Sequence, residues 1–192
     1  MRDFIFVTGP SGVGKSTLMR RLFEHYGGAY AEMHTVPEFT VPEGVDPGLF
    51  EEEVCWQCCK VQLDKFHELG LHPVISGDFD DLRTRDLPLA FKGSDFIILR
   101  LICHDYEENE RRMLNRGKGL IDLDLLRGMH EKINSRPQMP NEVMLDTAGK
   151  SPDEVFSEAV SIIDHYITQK DYHYDRQPKE LFYSWVKSNG LR

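Results

Sequence analysis

Gly9-Pro10-Ser11-Gly12-Val13-Gly14-Lys15-Ser16-Thr17 follows closely on an apolar run, Phe4-Ile5-Phe6-Val7, that reads as a buried strand. The glycine, lysine and hydroxyl positions match GxxxxGK[ST], the pattern of a phosphate loop. A strand that ends in glycines and feeds a helix turns several backbone N–H groups toward one point, where they and the helix N-terminus hold the oxygens of a di- or triphosphate. Lys15 then reaches the β and γ phosphates, and Ser16 supplies a hydroxyl to Mg²⁺. Gly9, Gly12 and Gly14 let the backbone approach without a Cβ in the way, and Ser11, Val13 and Thr17 complete the loop. The stretch predicts a nucleotide site with ATP and Mg²⁺ as its cofactors.

The chain has 192 residues, 40% of them hydrophobic, enough for one sizeable core, so residues 1–192 are expected to form a single domain. No run approaches the roughly eighteen apolar residues of a membrane span, and the first strand runs straight into the phosphate loop without a signal sequence before it. A cytosolic protein with no membrane partner is therefore expected. The formal charge of −9 argues against nucleic acid as a partner, because duplex binding rests on lysine and arginine neutralising phosphates. Cations need only concentrate locally, and Arg111, Arg112, Arg116 and Lys118 cluster. Cys55, Cys58 and Cys59 fit reduced thiols on a helix better than a disulfide framework, and the eight histidines show no metal-binding spacing.

Short apolar runs alternate with helical stretches, the pattern of an α/β fold of three layers in which helices cover both faces of a parallel five-stranded sheet. Strands are expected at 3–8, 29–34, 73–76, 95–102 and 142–146. The first helix leaves the phosphate loop and stops at Gly27-Gly28. Asp46-Pro47 is an N-cap and first-turn pair for a long second helix, which places Phe50, Val54, Cys58 and Val61 on one face and stops at Gly70. Gly77-Asp78-Phe79 follows the third strand at its carboxyl end, where open α/β sheets bind ligands. A charged helix over 107–115 precedes Gly117-Lys118-Gly119, and another is opened by Asp122 or Asp124. Ser151-Pro152-Asp153-Glu154 spells a capping box for the next helix. A final short helix ending at Gly190 is expected to carry Phe182, Tyr183 and Trp185.

Phosphate loops serve several kinds of protein, so the rest of the chain must decide among them. Asp146-Thr147-Ala148-Gly149 has the spelling of a GTPase DxxG switch, but it lies too late and no Asn-Lys-x-Asp motif follows. The chain is short for an ATPase motor and lacks an obvious second module. The order of its parts resembles the small P-loop kinases of nucleosides, nucleotides and other metabolites. Residues 4–22 resemble guanylate kinases, whose loop reads GPSGxGKST, although the arginine-rich TTRxPRxGE segment of that family is missing. Val36-Pro37-Glu38 followed by a helix with Trp56-Gln57 is similar to deoxynucleoside kinases, which implies Glu38 as a base and Gln57 as a reader of the nucleobase. Their acidic-Arg-Ser motif is replaced here by Gly77-Asp78-Phe79. Arg112 and Arg116 before the glycine break resemble the lid of the superfamily, which implies a small helical lid over about 105–125. Leu145-Asp146-Thr147 with Ser151-Pro152 resembles its last strand, adenine-side loop and capping helix, which implies Thr147 beside the adenine.

Phosphoryl transfer asks a protein mostly for positioning and charge neutralisation. Arg112 and Arg116, one helical turn apart, can close on one ligand; the alternative is a solvated face paired with Glu107, Glu108 or Glu110. Asp78 either orients the metal's waters or accepts a substrate proton, or else caps a turn. Glu38 is a base or substrate ligand or a surface carboxylate, Gln57 is a substrate contact or solvated, and Arg136 is a further phosphate contact. The acceptor region is expected over about 35–70. These residues predict an ATP- and Mg²⁺-dependent phosphotransferase whose partner is a small-molecule acceptor, a nucleoside or nucleotide first. Another metabolite, such as a sugar acid, a shikimate-like compound or an antibiotic, comes second, and a regulatory nucleotide-binding module without turnover third. Oligomeric state and the choice of ATP over GTP stay open.

Overall fold

Alternation along β1 (Phe4–Thr8) directs Phe4 and Phe6 to one face of the sheet and Ile5 and Val7 to the other, and none of the four is more than 2% exposed. Burial on both faces is the signature of a central parallel strand. The computed structural model describes residues 1–33, 35, 38–77, 79, 81–116 and 123–176. In it β1 is joined by β2 (Ala29–Glu32), β3 (Val74–Gly77), β4 (Phe96–Ile102) and β5 (Glu142–Asp146). The order is β2-β3-β1-β4-β5 with every pair parallel, and Phe4 stands opposite both Val74 and Phe96. The chain changes sides at β1, which opens a crevice at the carboxyl ends of the strands.

The helices are α1 (Lys15–Tyr26), α2 (Pro47–Glu68), the four-residue turns α3 (Asp81–Thr84) and α4 (Leu87–Ala90), α5 (Tyr106–Arg116), α6 (Leu123–Ser135) and α7 (Pro152–His165). Phe4, Phe6, Val74 and Phe96 pack on Cys55, Trp56, Cys59 and Leu63 of α2 and Leu87 of α4. On the opposite face Ile5, Val7, Leu99 and Leu145 meet Leu18, Met19 and Leu22 of α1 and Val155, Ala159 and Ile163 of α7. The expected three-layer α/β P-loop fold is present, with one apolar core on each side of the sheet. No helix among the described residues is long and apolar enough to cross a membrane.

Local signals set most boundaries. Gly27 caps α1, Asp46 Oδ1 accepts the Leu49 N–H at the head of α2, and Ser151 and Glu154 form the capping box of α7. Four strands begin and end within one residue of expectation, whereas β2 stops at Glu32, two residues early. The face of α2 is a correction: the buried side chains are Cys55, Trp56, Cys59 and Leu63, while Val61 is 67% exposed. The stripe through Phe50, Val54 and Cys58 is only partly buried, while Trp56, on the buried face, packs edge-on against Phe79. Asp122, the Gly117-Lys118-Gly119 break and the expected helix with Phe182, Tyr183 and Trp185 lie outside the described residues.

Candidate nucleotide and phosphoryl-transfer site

The loop from Gly9 to Gly14 leaves β1 and enters α1 at the carboxyl edge of the sheet. Gly9 has φ +135°, and a Cβ there would stand 2.3 Å from the Leu101 carbonyl oxygen of β4. Gly12 has φ +87°, and its Cβ would stand 2.6 Å from Asn109 Oδ1 and 2.8 Å from Met113 Cγ of α5. Both positions thus require glycine by conformation and by space. Gly14 is the N-cap of α1 in the left-handed region, and no side chain caps the helix. The first helical bond runs from the Leu18 N–H to the Gly14 carbonyl at 3.0 Å, so earlier N–H groups of the turn have no carbonyl within the helix. Such a turn can seat an anion, to which the helix dipole would add positive potential.

Lys15 Nζ curls back over the loop and donates to the Gly9 carbonyl at 3.0 Å and the Pro10 carbonyl at 3.1 Å. Ser16 and Thr17 are exposed on the first turn, Val13 is buried beneath the loop, and the Ser11 carbonyl accepts from Asn109 Nδ2 at 3.0 Å. Asn109 is fully buried and belongs to α5, so it fastens the phosphate loop to that helix. Sequence reasoning misses it, since an amide on a charged helix carries no signal of its own.

Beside the loop lies a cavity of about 260 Å³ bounded by Val13, Thr17, Arg112, Thr147, Lys150 and Pro152, among others. Arg112 donates to Thr147 Oγ1 at 2.9 Å, to the Thr147 carbonyl at 2.8 Å and to Glu108 Oε1 at 2.5 Å. Its guanidinium therefore forms a wall of the cavity, and the pairing with Glu108, the alternative to a lid, is present as well. Thr147 is itself held by Ile102, whose carbonyl accepts both its N–H at 2.9 Å and its hydroxyl at 3.0 Å. The Ala148 and Gly149 N–H groups donate to Asp146 Oδ1 at 3.0 Å and Glu108 Oε2 at 2.9 Å, which fixes the loop before α7. Asp146 also holds the His104 ring, and that hydrogen bond raises the affinity of the exposed imidazole for its proton.

The acceptor side is less closed. Glu38 is exposed in the segment between β2 and α2, and Gln57 is exposed on α2, where its amide donates to Glu53 Oε1 at 2.9 Å. Arg116 is exposed at the end of α5, and Asp78 lies outside the described residues. Arg136 departs from expectation. It is 8% exposed and forms a paired contact with Glu142, at 2.6 and 2.9 Å, at the start of β5. Glu142 is 1% exposed, so the pair, with Arg100 3.8 Å away, compensates charge buried at the edge of the sheet away from the loop.

Another buried arginine carries no warning in the sequence. Arg83 of α3 follows the carboxyl end of β3, is 2% exposed, and donates to Glu52 and Glu53 at 2.5 Å and to Asp86 at 3.0 Å. Glu52 and Glu53 lie beyond the first turn of α2, and nothing in their spacing announces a buried partner.

No family model matches the chain. A Pyrococcus furiosus protein named "Putative adenylate kinase" is 24% identical over 172 residues, covering 86% of this chain and 87% of the relative. A Thermococcus kodakarensis protein of the same name is 24% identical over 165 residues, with 83% and 84% covered. Among solved structures, a gluconokinase from Sinorhizobium meliloti superposes with a TM-score of 0.61 at 17% identity, covering 85% of this chain and 94% of that one. A sugar kinase from Janibacter sp. gives 0.62 at 20% identity, with 85% and 95% covered.

Proposed function

We propose that this chain is a P-loop small-molecule kinase that moves the γ-phosphate of ATP to a nucleoside or nucleotide, a reading supported by its relatives named "Putative adenylate kinase". The observation that carries the reading is the uncapped first turn of α1, with Lys15 folded over the same loop and a cavity beside it. Bare N–H groups suit phosphate oxygens, and the cavity between Arg112, Thr147 and Pro152 suits a flat base, since a guanidinium plane can stack on one.

The residues present fit Mg²⁺-bound ATP: glycines where a side chain would fill the cradle, a long-armed cation, and the exposed Ser16 hydroxyl on the turn that faces the phosphates. Ser16 would hold Mg²⁺, which would supply charge neutralisation to the phosphates when bound. Lys15 exchanges two loop carbonyls for phosphate oxygens, which strengthen as acceptors while charge develops on them. Arg112 holds the base side, and Arg116, exposed at the end of α5, supplies a second cation to the transferred phosphate. Glu38 or Asp78 takes the acceptor's proton or orients the acceptor, with Gln57 beside it.

The adenylate kinase name of the sequence relatives supports a nucleotide acceptor, and the gluconokinase and sugar kinase titles of the structural neighbours supply the alternative to test. The experiment follows ADP release from ATP and Mg²⁺ with AMP, other nucleoside monophosphates, nucleosides and gluconate. Release that depends on a nucleoside or nucleotide supports the proposal. Turnover with gluconate alone moves the chain to sugar-acid chemistry, and ATP binding without acceptor-dependent release overturns the enzyme reading. In the same assay Arg116→Ala is expected to lower kcat by on the order of a hundredfold, with Arg116→Lys restoring little. An unchanged kcat would return Arg116 to a solvated helix end.

A further inference from the structure

Asp3, His67 and His72 come from three separate segments: the residue before β1, the last turn of α2 and the connection into β3. The fold brings one donor atom of each to within 4.8 Å of the others. His67 Nε2 stands 3.4 Å from Asp3 Oδ1. That is longer than a well-formed N–H···O hydrogen bond, but it equals the separation of two ligands on one tetrahedral zinc ion, about 3.4 Å for bonds near 2.1 Å. The His67 and His72 rings meet edge to face with centroids 4.7 Å apart. His72 Nδ1 is a buried ring nitrogen with no hydrogen-bond partner among the described residues. A buried polar atom left without a partner calls for one.

The surroundings are those of a built site. Asp3 Oδ2 accepts the Asp95 N–H at 2.9 Å, which orients the carboxylate and leaves Oδ1 toward His67. The Asp3 backbone is tied into the sheet by bonds to Asp95 and Val74, and the Gly70 N–H donates to the His67 carbonyl at the end of α2. His67 lies flat on the Phe4 ring, with centroids 5.0 Å apart and planes 22° from parallel. The His67 and Asp3 side chains are 38% and 30% exposed, which leaves an open side for a water ligand.

We propose that Asp3, His67 and His72 bind a divalent transition metal of the zinc type. Two imidazoles and one carboxylate suit such an ion and not Mg²⁺, which prefers oxygen donors in an octahedron. The site sits at the amino ends of the strands, separated from the phosphate loop by the length of β1, about 17 Å at ~3.3 Å per residue. It is thus independent of the nucleotide and clamps β1, α2 and the entry to β3 together. The spacing of 3, 67 and 72 conveys none of this, because only the sheet unites the residues.

The test titrates Zn²⁺ into the metal-stripped full chain against a chromophoric zinc chelator and records thermal unfolding with and without the ion. One equivalent should bind and raise Tm. His67→Gln and His72→Gln should each weaken binding by about tenfold or more, Cys58→Ser should leave it unchanged, and excess Mg²⁺ should not displace the zinc. Should His72→Gln fail to fold by circular dichroism, the half-exposed His67→Gln decides. Absence of zinc binding, or binding that survives in His67→Gln and is lost in Cys58→Ser, overturns the proposal.

Discussion

α1 and α7 pack in the same layer and each starts just beyond the carboxyl end of a strand, yet their first turns are built in opposite ways. In α7 the Ser151 hydroxyl accepts the Glu154 N–H at 3.3 Å, and Glu154 Oε2 accepts the Ser151 N–H at 2.8 Å. In α1 a left-handed glycine stands at the N-cap, no side chain caps it, and no acidic residue lies in the first turn. A capped terminus is complete on its own. An uncapped one forgoes roughly 1 kcal/mol and regains it only from a ligand. The contrast is what the proposed phosphate seat asks of α1 and not of α7.

The largest effect that would sharpen this contrast is that of Lys15→Ala. It removes the cation of the loop while the backbone cradle stays, so turnover should fall by about a hundred- to a thousandfold with Tm nearly unchanged. Retained turnover in the folded variant would break the comparison at its functional end. Gly12→Ala comes next. Its methyl would press on Asn109 and Met113 at φ +87°, costing about 1–2 kcal/mol in denaturant unfolding and weakening ATP binding in calorimetry. Ser151→Ala should cost about 1 kcal/mol and leave kcat alone, the reverse of Lys15→Ala; a fall in kcat would mean that α7 does more than support the sheet.

The smallest effect is in acid. Hydrogen bonds from the Ser151 backbone and hydroxyl to Glu154 hold its carboxyl below the usual glutamate range. A depressed carboxylate contributes stability that is fully present above its unfolded pKa and lost as pH falls through the folded one. Unfolding midpoints measured downward from about pH 5 should therefore decline less steeply in Glu154→Gln than in the parent chain. Equal slopes would remove the cap from the account of α7.

Elements whose signals are local are legible in the residues alone. The phosphate loop, the caps at Asp46 and Ser151 and β4, apolar but for Arg100, each rest on residues a few positions apart. What escapes such reading depends on partners far along the chain. Arg136 before a proline looks available for phosphate, but Glu142, six residues on, reaches it only because β5 turns that carboxylate inward. Arg83 and its acidic partners meet across 30 and 31 residues, and α3 is too short for periodicity to announce it. Phe50, Val54 and Cys58 form as good a stripe as Cys55, Cys59 and Leu63, and only the sheet decides between them. Glu38 and Gln57 stand exposed, so the acceptor they are assigned to must itself supply whatever brings them to the loop.

Asn109 grips the Ser11 carbonyl and Arg112, three residues on, grips Thr147. One helix thus acts as a crossbeam between the phosphate loop and the loop before α7. On the proposed reading, affinities for the two halves of a nucleotide cannot be tuned separately: a shift of α5 that widens one end displaces the other. Discrimination among donors becomes a property of the whole beam, and substitutions at Asn109 and Arg112 should couple in a double-mutant cycle although their partners lie on different loops.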